Sequence, residues 1–563
     1  KGERPVRIHH LKIENFRGIR HLDWKPEGSV ICLIGPGDST KTTVIEAIDL
    51  VLSPRWEIGF DDSDFYAGDT DSSIVITATV GELPDALLAD NKFGLDIRGW
   101  SGTQGIHDEP EDEDDKVLTI ELTVDSSLEP EWTVINDRNP DGRRISHRDR
   151  QLLGVLKLGQ YVDRHFTWGS GTDLLRLTGE PADLRGLLAE AGRAARAAIT
   201  PENVPLLEAG ATKAERLAGD FGVVPKERYQ PGLDIQRVNI GQGVIALHDG
   251  NVPLRRAGMG TKRLLALALQ REAARDGGIV LVDEAENGLE PHRVRALVRK
   301  LRPEEGRGQV IMTSHSPVVI GELPASCLRI MRSNVGETTV SDVSASMQDI
   351  VRAASEALLG RKVIVCEGKT EVGFCRAFDR FWTNAGKEAF AYMGVVPVAC
   401  EGSTASSRAV AIRKLGYSVC YLGDSDREIT PTAETMRAAG IKVLVWADRL
   451  SIEGRVAVDL PWQELLEIVS LAFAEPGEES ARASLAHQLG EHPDLAHSDF
   501  RSWHDSPELR NAIGRAAKEK GWFKRIGSGE KMGDIVCRCI QTIPATDLAR
   551  NMEELRLWID AND

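Results

Sequence analysis

"VIVCEGKTEVGF", residues 363–374, begins as a run of β-branched residues and ends on a carboxylate and a glycine, Glu367 and Gly368. An apolar run of this length predicts a buried strand, and the glycine lets the backbone turn closely into a helix. Glu371 follows four residues after Glu367, so the second acid lies on the same helical face as the first. Around this stretch, strands expected at 362–366, 394–399, 418–422 and 442–446 alternate with helical segments, the pattern of a parallel α/β sheet. One of those strands, in "SVCYLGDSD" (418–426), finishes on Asp424 and Asp426. Residues two apart in an extended chain point the same way, and parallel strands deliver their C-terminal ends to one edge, where ligands of such sheets bind. Four carboxylates crowded there repel one another unless divalent cations neutralise them. Glu367, Glu371, Asp424 and Asp426 are therefore the expected ligands of Mg²⁺ or Mn²⁺.

The N-terminal part carries a different constellation. "GPGDSTKTT" (35–43) stands between a strand-like run at 29–34 and a helical pattern that begins at the lysine. A loop of Gly35, Pro36, Gly37, Asp38, Ser39 and Thr40 followed by Lys41, Thr42 and Thr43 predicts a phosphate cradle. Backbone N–H groups and the helix N-terminus favour phosphate, Lys41 reaches the outer phosphates and Thr42 holds Mg²⁺. Thr40 occupies a position where this pattern has glycine, and Asp38 brings a negative charge close to the phosphates. "IVLVDEAENGLEP" (279–291) is an apolar strand ending in Asp283, suited to the Mg²⁺ shell, and Glu284, suited to polarising an attacking water. The glycine turn with Gly258 and Gly260 opens a helix expected at about 260–275, and "IMTSHSP" (311–317) ends a further strand near His315. Together these predict a site for a nucleotide, which the resemblance given below makes ATP.

The remaining composition sets limits. The 563 residues include 69 basic and 86 acidic side chains, a net charge of −17, which argues against a polybasic coat on DNA but not against a local basic channel. No window of about 18 uncharged apolar residues exists, so no membrane span is expected. The opening KGERPVRIHH has no signal-peptide pattern. The 8 cysteines are scattered without a CxxC, as in reduced, buried thiols of a cytoplasmic protein. The acid-rich run 107–115 reads as a solvated loop. From 151 to 235 the pattern is helical and rich in Ala, Leu and Arg, with an apolar face that calls for a partner surface.

The motifs of the N-terminal part, in their order, resemble an ABC-type ATPase head of the Rad50/SMC class. The EG…DSD pair resembles the Toprim fold of topoisomerases, primases and certain nucleases. An ABC head followed by Toprim in one chain resembles the OLD (overcoming lysogenization defect) family of nucleases, with the Gabija nuclease subunit a relative. The resemblance implies ATPase segments at 1–150 and 236–350, a helical dimerisation insertion at 151–235, and a Toprim nuclease domain with a helical C-terminal part at 355–563. It places Arg17 near the nucleotide. It also makes the signature around Gly258 and Gly260 complete the ATP site of a second subunit, although Ala257 stands where the class often has serine. It adds Glu453 as a metal-binding acid and Lys524, with Lys531 as the alternative, as the basic residue near the scissile phosphate. The implied activity is ATP-regulated, two-metal DNA cleavage in anti-phage defence by a homodimer or larger even-numbered homo-oligomer, with a helicase or other defence-system partner left open. The alternatives are an ATP-sensing regulator with a weak or silent nuclease, an SMC-type head and a topoisomerase or primase. The SMC reading lacks the long heptad-patterned segment it requires, and no tyrosine-bearing DNA-gripping domain is recognisable for the last.

Overall fold

The computed structural model describes residues 6–55, 58–102, 105–158, 163–168, 172–178, 184–197, 205–220, 226–231, 245–273, 278–301, 308–400, 402–490 and 493–561. Two sheets organise it. The larger has 14 strands and is parallel on one side and mainly antiparallel on the other. Its parallel part runs Leu156–Leu158, Ile279–Val282, Gln309–Thr313, Val30–Ile34, Leu328–Asn334. Val30–Ile34 and Gln309–Thr313 are buried at every position, which is why they read as unbroken apolar runs. The other part continues through Glu337–Asp342, Ile19–Trp24, Arg7–Phe16, Ile74–Gly81 and Asp115–Val124, antiparallel at every step except the parallel pairing of Glu337–Asp342 with Ile19–Trp24. Alternation in Arg7–Phe16 marks a strand with two unlike faces.

The second sheet is parallel throughout, in the order Val395–Ala399, Lys362–Cys366, Ser418–Gly423, Lys442–Val445. One face packs under the C-terminal helices, among them Lys369–Asn384, Pro507–Lys520 and Ile526–Cys539. The other face shares a continuous apolar core with the larger sheet: Val363, Val365, Tyr421 and Val443 belong to the same cluster as Cys32, Val282 and Met312. At this junction the Arg332 guanidinium lies 4.3 Å from the centre of the Tyr417 ring, and the Tyr417 hydroxyl donates to the Leu358 carbonyl at 2.7 Å. The two halves are thus joined by packing as well as by chain.

Several elements differ from the sequence reading. Leu156–Leu158, inside the segment expected to be helical, is a strand at the edge of the large sheet, paired with Ile279–Val282. Three residues are too few for a periodicity to show. The helices Asp173–Thr178, Leu184–Ala197 and Pro205–Asp220 follow it. The parts 159–162, 169–171, 179–183, 198–204, 221–225 and 232–235 of the expected insertion lie outside the described residues, as do 243–244 of a strand expected at 243–247. Ala246 makes an isolated bridge to Thr167. The cysteines form no disulfide among the described residues, and all but Cys327 are buried. Among the described residues no helix is long and apolar enough to cross a membrane.

Candidate functional site

The phosphate-type loop connects the buried strand Val30–Ile34 to the helix Lys41–Leu52. Its conformation is forced by close packing: Gly35 has φ +145°, and a Cβ built there would lie 2.5 Å from the Met331 carbonyl oxygen. Asp38 and Thr40 also take positive φ, 58° and 62°. Such a conformation costs a β-branched residue roughly 1 kcal/mol or more, so Thr40 is strained where glycine would not be. Lys41 is buried, with its Nζ donating to Gly35 O (3.2 Å), Pro36 O (2.8 Å) and Ser39 Oγ (2.9 Å). Burial pushes its ammonium down to about 8, against the opposing charges of Asp38, Asp283 and Glu286.

Asp283 meets this loop as expected. Its Oδ1 accepts from Thr42 Oγ1 at 3.1 Å and from Thr313 Oγ1 at 2.6 Å. Glu284 has φ 46°, donates its N–H to Thr313 Oγ1 at 2.8 Å, and accepts from Asn287 Nδ2 at 3.1 Å. Glu286, not singled out from sequence, holds the His315 segment by accepting from His315 N (2.6 Å) and Ser314 Oγ (2.8 Å). Burial, and then Lys41, lower the His315 pKa. Arg17 is tied to Asp64 at 2.8 Å and to Glu46 on the loop's own helix. Gly260 packs where a Cβ would lie 2.5 Å from the Gly288 carbonyl oxygen, while Gly258 stands in open space. The signature turn is therefore bound to the Asp283–Leu289 segment, and Arg263 strengthens that by donating to the Asp283 and Glu284 carbonyls.

The second site lies at the C-terminal edge of the parallel sheet. Lys362–Cys366 and Ser418–Gly423 are adjacent strands, so Glu367 and Asp424 emerge side by side, and Glu367 Oε2 accepts from the Asp424 N–H at 2.8 Å. Glu371 sits in the first turn of Lys369–Asn384 and folds back to accept from Gly368 N at 2.8 Å. Ser451 caps the helix Ile452–Asp459, which sets Glu453 in its first turn, and the Ile452 N–H donates to Asp424 Oδ1 at 2.9 Å. Glu367, Glu371, Asp424, Asp426 and Glu453 all line one cavity of about 810 Å³. Lys524 lines it too, whereas Lys531 lines a separate hollow with Asp534 and Arg538.

Low dielectric and mutual repulsion act on these acids as expected for crowding. Burial raises Glu371 well above the usual carboxylate range, helped by Asp424 and Glu453. Burial pushes Glu453 up to about 7, with Asp424 adding to it. Glu367 is raised by burial and by Asp424. Burial also raises Asp424, against the opposing charge of Lys518.

Lys518 is the residue that sequence reasoning missed. Its Nζ donates to Asp424 Oδ2 at 2.9 Å and contacts Asp426 Oδ2. Burial alone would lower its pKa, but Asp424 and Asp426 hold it above the ordinary lysine value. The acids are thus partly neutralised by the protein itself, where the sequence reading had offered only divalent cations. Among the described residues no three His, Cys, Asp or Glu side chains lie close enough together to hold one ion as they stand. The donor set, all carboxylate oxygen, nonetheless has the chemistry that suits Mg²⁺ or Mn²⁺.

The family profile described as "AAA domain, putative AbiEii toxin, Type IV TA system" matches residues 30–321, more than half of the chain, from the phosphate-loop strand to the helix after His315. The chain belongs to this AAA family. The chain is also 22% identical over 466 residues to the OLD nuclease of Thermus scotoductus, covering 76% of this chain and 83% of that protein. That share exceeds what residues 1–350 supply, so the similarity extends into the parallel-sheet half. A stretch of 91 residues is 29% identical to the DNA replication and repair protein RecF of Chlorobium luteolum, over 16% of this chain and 25% of that protein. A solved SMC head bound to the C-winged helix domain of ScpA covers 60% of this chain and 98% of its own, at 12% identity and a TM-score of 0.32. The resemblance to OLD nucleases read from the motifs accordingly holds over 76% of the chain.

Proposed function

We propose that this AAA-family chain is an ATP-controlled, divalent-metal-dependent DNA endonuclease with a Toprim-type nuclease domain. The observation that carries the reading is the convergence of Glu367, Glu371, Asp424, Asp426 and Glu453, with Lys518 and Lys524 among the basic side chains, on one cavity at the C-terminal edge of a parallel sheet. Glu367, Asp424 and Asp426 would hold one cation, and Glu371 and Glu453 would complete a second site. When bound, the ions supply Lewis-acid polarisation of a phosphate and a water of lowered pKa. The chain's own contribution is positional and electrostatic. Lys524 and Lys518 place positive charge where a scissile phosphate gathers negative charge, and the Thr370 hydroxyl, donating to Phe523 O at 2.9 Å, ties the Lys524 segment to the helix that carries Glu371.

In the head, Lys41 and Thr42 would receive the nucleotide phosphates, Asp283 its Mg²⁺, and Glu284 would accept a proton from the attacking water. Exposed Leu187, Leu206 and Leu207 on the inserted helices support a homodimer or larger even-numbered homo-oligomer. The resemblance to OLD nucleases supports a role in anti-phage defence in the cytoplasm. The runner-up, an ATP-sensing regulator with a weak nuclease, is favoured by one feature: an ammonium already occupies the Asp424–Asp426 pair. Incubating the purified protein with supercoiled and linear DNA, with Mg²⁺ or Mn²⁺ and with or without ATP, separates the two. Cleavage that needs the metal and responds to ATP is expected, and intact DNA under every condition overturns the nuclease.

A further inference from the structure

The position of Lys518 is set by a helix crossing that has no slack. Helix Pro507–Lys520 passes helix Ile452–Asp459 at a glycine pair, where a Cβ built on Gly514 would lie 2.8 Å from Gly454 Cα. Gly454 adjoins Glu453, and Lys518 lies one turn beyond Gly514 on the same face. The crossing therefore drives the Lys518 stem straight at the acids. Its ammonium takes Asp424 Oδ2 and Asp426 Oδ2, the oxygens a cation at this pair would use. The other Asp424 oxygen is held by Ile452 N, and one oxygen each of Glu367 and Glu371 by the N–H groups of Asp424 and Gly368. The carboxylates are thus positioned by backbone, and the remaining vertex is filled by a side chain.

We propose that Lys518 is a resident counter-ion that competes with divalent metal for Asp424 and Asp426, so that metal loading requires its ammonium to withdraw from the pair into the cavity. This rests on the metal-site reading above and adds to it an order of events: displacement, then loading. The chemistry suits the role. A lysine is a single charge on a flexible stem that can leave without breaking a bidentate fork, unlike arginine. The Lys518 side chain is 29% exposed, so it opens onto the cavity rather than being locked in the core. One ammonium is shared between two carboxylates, Asp424 and Asp426, and a divalent cation brings twice its charge to the same oxygens. Once withdrawn, Lys518 faces the cavity shared with Lys524 and Arg515, where an anionic phosphate group would lie.

The test is Mn²⁺ titration by calorimetry on the full chain without DNA or nucleotide, alongside thermal unfolding with and without Mn²⁺. Asp424→Ala identifies the heat that belongs to this site. Lys518→Met, which keeps the stem and removes the charge, should bind Mn²⁺ at this site about tenfold more tightly than the unsubstituted protein. Its unfolding temperature should fall without metal and rise further on adding Mn²⁺. Lys518→Arg, which retains the charge, should bind no more tightly than the unsubstituted protein, and Lys518→Gln repeats the test if Lys518→Met does not fold. Equal or weaker Mn²⁺ binding in the uncharged variants overturns the competition and makes Lys518 a clamp that gathers the acids. Absence of any Asp424-dependent Mn²⁺ heat, in the unsubstituted protein and in the uncharged variants alike, overturns the metal-site reading itself, a distinguishable result.

Discussion

Lys41 and Lys518 are both lysines whose ammonium groups sit at the centre of a proposed site, and the groups in direct contact with them differ, neutral for one and charged for the other. Lys41 is buried among neutral acceptors, the carbonyls of Gly35 and Pro36 and the Ser39 hydroxyl, and burial lowers its pKa to about 8. Lys518 lies against two carboxylates that hold its pKa up. The head keeps an ammonium without a committed counter-charge, as suits a loop built to receive an anion. The parallel-sheet half has its ammonium engaged by its own acids, as suits a cluster built to receive cations. The same side chain serves opposite needs because the loop presents backbone dipoles while the sheet edge presents formal charges.

If the two sites are distinct centres on separate sheets, substitutions should separate them cleanly. The largest effect is expected from Asp424→Ala, which should reduce DNA cleavage by at least about a hundredfold while ATP turnover persists, since it removes a carboxylate from the centre of the acid cluster proposed to hold metal. Nicking at the unsubstituted rate by that variant would take the acid cluster out of the chemistry. No gain in stability should accompany it, because the change frees Lys518 and leaves the Ile452 N–H without its acceptor.

The converse substitution, Glu284→Gln, should lower ATP turnover about tenfold as a water-polarising base is lost, while nucleotide binding and metal-dependent cleavage remain. Unchanged turnover, measured by phosphate release, would exclude Glu284. A third substitution sharpens the division within the parallel-sheet half. Lys524→Ala should slow cleavage by about tenfold, as expected for a group acting on developing charge, without altering Mn²⁺ affinity, whereas uncharged variants of Lys518 alter that affinity. Equal changes in metal binding for both would erase the distinction between the two lysines.

The smallest effect belongs to the phosphate loop. Thr40→Gly relieves a left-handed threonine but loosens the unfolded chain, so a net stabilisation of less than about 1 kcal/mol is expected in chemical denaturation. A clear loss of stability would mean that the Thr40 contact with Thr338, 3.3 Å between hydroxyl oxygens, outweighs the strain.

Legibility followed the physics of each element. Strands buried on both faces announce themselves, and 362–366, 279–282 and 309–312 stand where the apolar runs placed them. Leu156–Leu158 did not, because a three-residue edge strand owes its existence to its neighbour rather than to its own pattern. The acids at strand ends were readable for the same reason as the strands: a carboxylate that finishes a core run is conspicuous. Lys518 was not. In "GRAAKEKGWFK" (514–524) it is one of several lysines near the end of an amphipathic helix, and nothing local distinguishes it from a solvated one. Lys524, chosen from its context, does line the cavity, and Lys531 does not.

The amino-acid sequence by itself determined the two α/β halves, the order of their motifs and the identity of the acids, because these depend on periodicity and spacing within short segments. Only the tertiary structure decided which lysine meets the acids and how the halves share a core. Both depend on contacts between residues distant in the chain. Lys518 lies 94 positions from Asp424 and reaches it only because Gly454 and Gly514 let two helices touch. Tyr417 meets Arg332 where the two sheets share one apolar core. A local pattern cannot encode such an approach, since it is fixed by the steric fit of surfaces that exist only once the chain has folded.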